Sequence, residues 1–258
     1  MKSFNNAYAD ISIIQIILVF IIGIFLGAGI DVFFNIHIGI PFMEICLVLF
    51  IVFKIRKSKD SIQLQLKDLS NNFPIKTIII IFILNVVFSI GIGILFDYLT
   101  PFVPVGLSGN SSVLDNTNLL VLIGSLFFAI IIAPIFEELV FRGFIFSKIA
   151  SYSTISIGII VSSILFGLMH GVEGFIGALV FGMCMCILYL KTSNILISMT
   201  VHFLNNLSYE VVKLLNLDNL NSILHIPESM VIIIAVIIII ISAYFLFTFI
   251  KREWGNLT

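Results

Sequence analysis

The stretch Pro134-Ile135-Phe136-Glu137-Glu138-Leu139-Val140-Phe141-Arg142-Gly143 decides how the rest of the chain is read, because it sets two carboxylates and a guanidinium inside an apolar run extending from about 119 to 149. Ionisable side chains cost about 2.5 to 3.5 kcal/mol each at the centre of a membrane helix on insertion scales, so they persist there where they are paired or used. On a helix Glu138 and Arg142 are four apart and share a face, which lets them form an ion pair. Glu137 lies about 100° further round and is left free to point into a space between helices. The run is too long for one straight span, and Pro134 is expected to kink it.

Working outward, the composition places this run in a membrane. Of the 258 residues, 60% are hydrophobic and 10% charged, with a mean hydropathy of +1.23, against about 25% charged in a soluble domain. That excludes a soluble protein, and 13 basic against 14 acidic residues leave no basic field for a nucleic-acid backbone. The three cysteines, Cys46, Cys184 and Cys186, all fall in apolar runs and read as small buried hydrophobes. Cys184 and Cys186, two apart, do not share a helix face, which argues against a metal pair.

Apolar runs divide the chain into eight spans, near 11 to 30, 38 to 53, 77 to 98, 119 to 149, 155 to 170, 175 to 190, 195 to 215 and 229 to 250. The expected fold is an all-α membrane bundle of about eight transmembrane helices, a single domain over 1–258. Its basic loop, 54 to 76, carries Lys54, Arg56, Lys57, Lys59, Lys67 and Lys76 and belongs in the cytoplasm by the positive-inside rule. Alternation then puts both termini in the cytoplasm, with only Lys213 on the wrong side. The first run is long for a signal peptide, so it is read as a retained span. Leu107 to Asn118 reads as an exposed polar connection. Gly23 with Gly27, and Gly167 with Gly171, have the spacing of close helix contacts and are read as packing. The fifth and sixth spans are short, about 24 Å each at 1.5 Å per residue. Joined by Gly171-Val172-Glu173-Gly174, they are expected to turn below the outer surface and hold His170 at the depth of Glu137.

Two more polar groups lie in apolar surroundings: Phe166-Gly167-Leu168-Met169-His170-Gly171, and His202-Phe203-Leu204-Asn205-Asn206. His202 and Asn206, four apart, present an imidazole and an amide together. Singly, each residue has a structural reading as a hydrogen bond across the bundle. Taken together, they supply what peptide hydrolysis needs. A carboxylate stripped of water is a stronger base, an imidazole can share its proton, and a His with an Asn amide can hold an oxyanion. No Ser or Cys carries a nucleophile motif. A proton relay or transporter is the rival reading, but it calls for inverted repeats, and the charged spans all lie in one half of the chain. A non-enzymatic membrane scaffold or immunity protein is the other rival.

The three groups, Glu137-Glu138 with Arg142, Phe166 with His170, and His202 with Asn206, resemble in order the Glu-Glu-x-x-x-Arg, Phe-x-x-x-His and His-x-x-x-Asn motifs of the CAAX protease and bacteriocin-processing family (CPBP, formerly Abi). That family includes the Ras-converting type of CAAX endopeptidase. The resemblance covers about 119 to 215. It implies an eight-helix intramembrane endopeptidase in which Glu137 and His170 activate a water, His202 and Asn206 form the oxyanion hole, and Glu138, Arg142 and Phe166 support them. It leaves two chemistries open, a metal-free glutamate peptidase or a zinc enzyme with Glu137, His170 and His202 as ligands. The metal-free form is favoured here, because the motifs name no acceptor for the second nitrogen of either His, and Asn206 suits an oxyanion donor. The expected partners are a peptide or membrane-protein substrate and the bilayer. The expected setting is a bacterial plasma membrane, from the Ile-, Asn- and Phe-rich composition, with peptide processing, signal maturation or bacteriocin self-immunity as roles.

Overall fold

A computed structural model describes residues 6–35, 38–71, 73–99, 119–215 and 227–257. The polar connection expected from Leu107 to Asn118 lies outside these residues. Among the described residues the fold is all helical: α1 (Ile13–Phe34), α2 (Gly39–Ile55), α3 (Ile62–Asn71), α4 (Ile75–Leu99), α5 (Leu119–Tyr152), α6 (Ile155–Leu168), α7 (Gly171–Thr192), α8 (Ile195–Leu214) and α9 (Glu228–Leu257). A helix lies over each apolar run. Five of them, α1, α4, α5, α7 and most of α9, are long and apolar enough to cross a membrane. Large apolar side chains such as Phe25, Val32, Leu120 and Phe247 are exposed around the outside, as lipid requires and water would not allow in such numbers.

The helices pack in antiparallel neighbours, α1 with α2, α6 with α7, and α4 with α9. Gly27 sets the first of these. A Cβ there would stand 2.4 Å from the carbonyl oxygen of Gly39, so the two backbones touch, as the packing reading expects. Gly171 behaves otherwise: a Cβ there would meet nothing within 4 Å, and its φ is +67°. It is a turn glycine, and the packing reading of the Gly167/Gly171 pair is corrected at that position. The expected connection Gly171–Gly174 is also shorter than expected. Because Gly171 takes the left-handed turn at once, α7 starts there, and only Met169 and His170 lie between the helices.

The basic segment 54 to 76 is more than a loop, since it contains α3. Gln65 explains why. Buried, it donates from Nε2 to the Asp60 carbonyl (2.6 Å) and accepts at Oε1 from the Ile195 N–H (2.7 Å). Those bonds fix α3 against the head of α8, where the Asn194 side chain caps the Leu196 N–H at 3.0 Å. The N-terminal turn is tied to the same end: Asn6 donates to the Ser147 and Tyr189 hydroxyls, at 2.9 Å each, and Ala7 N–H to Asp60 at 2.7 Å. Tyr8 is fully buried there, and burial holds its phenol well above its ordinary range.

Helix α5 meets Pro134 by widening. Two π-helical stretches, Phe128–Ile132 and Leu139–Phe146, flank the α-helical turn Ala133–Glu138 that carries both glutamates. A proline ring crowds the carbonyl four residues before it, and a wide turn gives that carbonyl room.

Candidate active site

The centre of the cluster is Glu138. Its Oε1 lies 3.0 Å from Arg142 Nη1 in an ion pair and 2.9 Å from His202 Nδ1. All three side chains are at most 3% exposed. The expected Glu138–Arg142 pair is therefore present, although Arg142 lies on a π-helical rather than an α-helical stretch. Arg142 also stacks its guanidinium over the Phe166 ring at 4.2 Å, a cation–π contact that helps hold a buried charge.

Glu137 is partly open, with a side chain 20% exposed, and its Oε2 stands 3.5 Å from His202 Nε2. That oxygen is buried and makes no hydrogen bond among the described residues. His202 thus has a carboxylate oxygen at each ring nitrogen.

His170 is tied back to its own helix. Its Nδ1 donates to the Phe166 carbonyl at 2.8 Å, and its ring tilts on the Phe166 ring at 4.5 Å between centroids. This fixes the neutral tautomer with its lone pair on Nε2. His170 makes no ion pair with Glu137 among the described residues; Glu137 is met by His202 instead. Phe166 joins the two imidazoles, its ring lying 5.8 Å from that of His202.

Asn206 donates from Nδ2 to the Ala129 carbonyl at 2.9 Å. One amide proton is used there, which leaves the second for another acceptor.

Two expectations about metal chemistry change. Both histidines do have an acceptor on Nδ1, the Phe166 carbonyl for His170 and Glu138 for His202. The missing-acceptor argument against zinc therefore falls. Among the described residues no three His, Cys, Asp or Glu side chains stand together as a metal site, so Glu137, His170 and His202 do not fit a zinc ion here.

Four contributors escaped the motifs. Phe181 of α7 packs its ring 4.8 Å from that of His202, but nothing marks it out among the phenylalanines of an apolar helix. Ser162 Oγ donates to the Phe141 carbonyl at 2.9 Å, and Ser147 Oγ to the Arg142 carbonyl at 3.1 Å. Both close carbonyls along the second π-helical stretch. Glu44 of α2, half buried, lies within electrostatic reach of Glu137 and brings a third carboxylate to that side.

All the motif residues fall in the segment matched by one family. No curated protein and no solved structure matches the chain. The family model described as "Type II CAAX prenyl endopeptidase Rce1-like" matches residues 117–208, from the start of α5 into α8. Over residues 117–208, the stretch that carries its three motifs, the chain is thus similar to the Rce1-like family.

Proposed function

We propose that the protein is an intramembrane endopeptidase that hydrolyses a peptide bond near the membrane by a Glu137-activated water, without a metal. One observation carries the reading: His202 is held through Nδ1 by the Glu138–Arg142 pair and turns Nε2 towards the unsatisfied oxygen of Glu137. A base and a hydrogen-bond donor thus share one polar space inside an apolar bundle.

In this reading Glu137 takes a proton from a water whose oxygen attacks the scissile carbonyl carbon, and His170 Nε2 orients that water. The carbonyl oxygen becomes an oxyanion that accepts from His202 Nε2–H and from the second Asn206 amide proton. Glu137 returns its proton to the departing nitrogen as the C–N bond breaks. Glu138 and Arg142 act through His202, fixing its ring and balancing its charge, and Phe166 packs against both imidazoles. The bundle would cross a bacterial plasma membrane eight times with both termini in the cytoplasm, as the Lys/Arg distribution supports. Substrates would be membrane-associated peptides or proteins, in peptide maturation or self-immunity.

The test compares membrane-enriched peptides of cells carrying the wild type and Glu137→Ala at matched expression. Precursors that accumulate only in the variant support the reading. Identical peptide sets in the two strains refute it.

A further inference from the structure

Among the polar contacts of the site, the acceptor of Asn206 is unusual because it is a backbone carbonyl inside a helix. In the wide turn Phe128–Ile132 the Ala133 N–H reaches back five residues to the Phe128 carbonyl. The next bond in that register would run from residue 134 to the Ala129 carbonyl. Residue 134 is proline and has no N–H. Ala133 is already engaged, so the Ala129 carbonyl has no backbone donor four or five residues ahead. The buried ring of Pro134, three residues before Glu137, thus leaves one carbonyl open in the middle of α5. Asn206, on α8, fills it at 2.9 Å.

We propose that Pro134 is a positioning residue for the reaction. By withholding an N–H it keeps the Ala129 carbonyl open, and that carbonyl orients the Asn206 amide with its second proton free for the oxyanion. The inference deepens the endopeptidase reading and rests on it for the catalytic part, while the hydrogen-bond link stands by itself. An unanchored asparagine amide turns readily about its broad χ2 torsion. Anchoring one of its two N–H groups to a fixed carbonyl fixes the direction of the other. The same carbonyl ties the helix of the glutamates to the helix of His202, so both halves of the site share one reference point. Kinking alone, the ordinary role of a membrane proline, would not require a side chain from another helix at this carbonyl.

The experiment is a double-mutant cycle on the full chain, with Pro134→Ala, Asn206→Ala and the two combined. Two readouts are used, thermal unfolding in detergent and, in proteoliposomes, kcat and KM on an internally quenched peptide with a farnesylated cysteine. Asn206→Ala orphans the Ala129 carbonyl and should lower Tm by about 2 to 6 °C. Adding Pro134→Ala supplies the missing N–H and should recover most of that loss. In kinetics, Pro134→Ala alone should lower kcat about tenfold with KM unchanged, because the Asn206 amide then loses its anchor. On the Asn206→Ala background it should lower kcat no further. Pro134→Val, closer in volume to proline, gives the same N–H and must give the same pattern should the alanine variant fail to accumulate. Tm losses that add, or kcat losses that multiply, would overturn the proposal. If the wild type leaves the probe uncut, the endopeptidase reading fails for this probe, and the Tm arm still decides the Pro134–Asn206 link.

Discussion

Replacing Glu138 by alanine tests whether the buried charge cluster is assembled as described. Glu138 Oε1 lies between Arg142 Nη1, at 3.0 Å as an ion pair, and His202 Nδ1 at 2.9 Å, and the three side chains are almost fully buried. Arg142 has little else to fall back on: apart from this ion pair it has the face of Phe166 at 4.2 Å, and its guanidinium nitrogens make no hydrogen bond among the described residues. Removing one member of such a pair leaves an uncompensated buried charge, which costs about 3 to 5 kcal/mol. The stacking on Phe166, worth about 0.5 to 2 kcal/mol, survives and places the expected loss towards the lower end, near 3 kcal/mol. At about 1.4 kcal/mol per tenfold, that is a shift of roughly 10²-fold in the folding equilibrium. Unfolding in mixed micelles of increasing SDS content measures it. Glu138→Ala with Arg142→Met should cost less than Glu138→Ala alone, since the orphaned charge is gone. A Glu138→Ala protein within about 0.5 kcal/mol of the wild type, the scale of an ordinary surface change, would refute the buried cluster.

Asn206→Ala should lower kcat by about 10² to 10³-fold with KM little changed, the usual loss for an oxyanion donor; an equal rise in KM would assign Asn206 to ground-state binding. Gly27→Ala forces a Cβ against the Gly39 carbonyl and should destabilise the protein by about 1 to 3 kcal/mol, read in the same SDS titration. An unchanged midpoint would mean that α1 and α2 are further apart. With the three native cysteines replaced, single cysteines at Ser58 and Ser111 should react with an impermeant thiol reagent from opposite sides of the membrane. Labelling of Ser58→Cys in intact cells would invert the proposed topology.

The helices and the site were legible to different depths. Apolar runs marked the membrane helices because a spanning helix must be apolar nearly all round, a signal that needs no partner to be seen. Helix α3 was hidden by its polarity; its anchor, Gln65, bonds to residues near 60 and 195, and such long-range bonds leave no local pattern. Glu138 and Arg142 were readable as a pair from their spacing. That His202 completes the group was not, because spacing within one helix says nothing of which face meets another helix. The metal question shows the same limit: motif order gave three candidate ligands, while among the described residues Glu137 pairs with His202 and no three such side chains form a metal-holding group. Pro134 announced a disturbance in α5, and only the packed structure shows that it takes the form of wide turns and an open carbonyl.

The central claim is that Glu137 drives hydrolysis of a peptide bond by water, and isotopic labelling reads that step directly. Membranes holding equal amounts of the wild type or Glu137→Gln are incubated in H₂¹⁸O, and newly formed peptide C-termini are analysed by mass spectrometry. Hydrolysis places one oxygen from water in each new carboxylate. A set of ¹⁸O-labelled C-termini should form with the wild type and fall by at least about 10²-fold with Glu137→Gln, the scale of lost general-base help. The same labelled termini at the same rate in both membranes would contradict the assignment of Glu137 as the base.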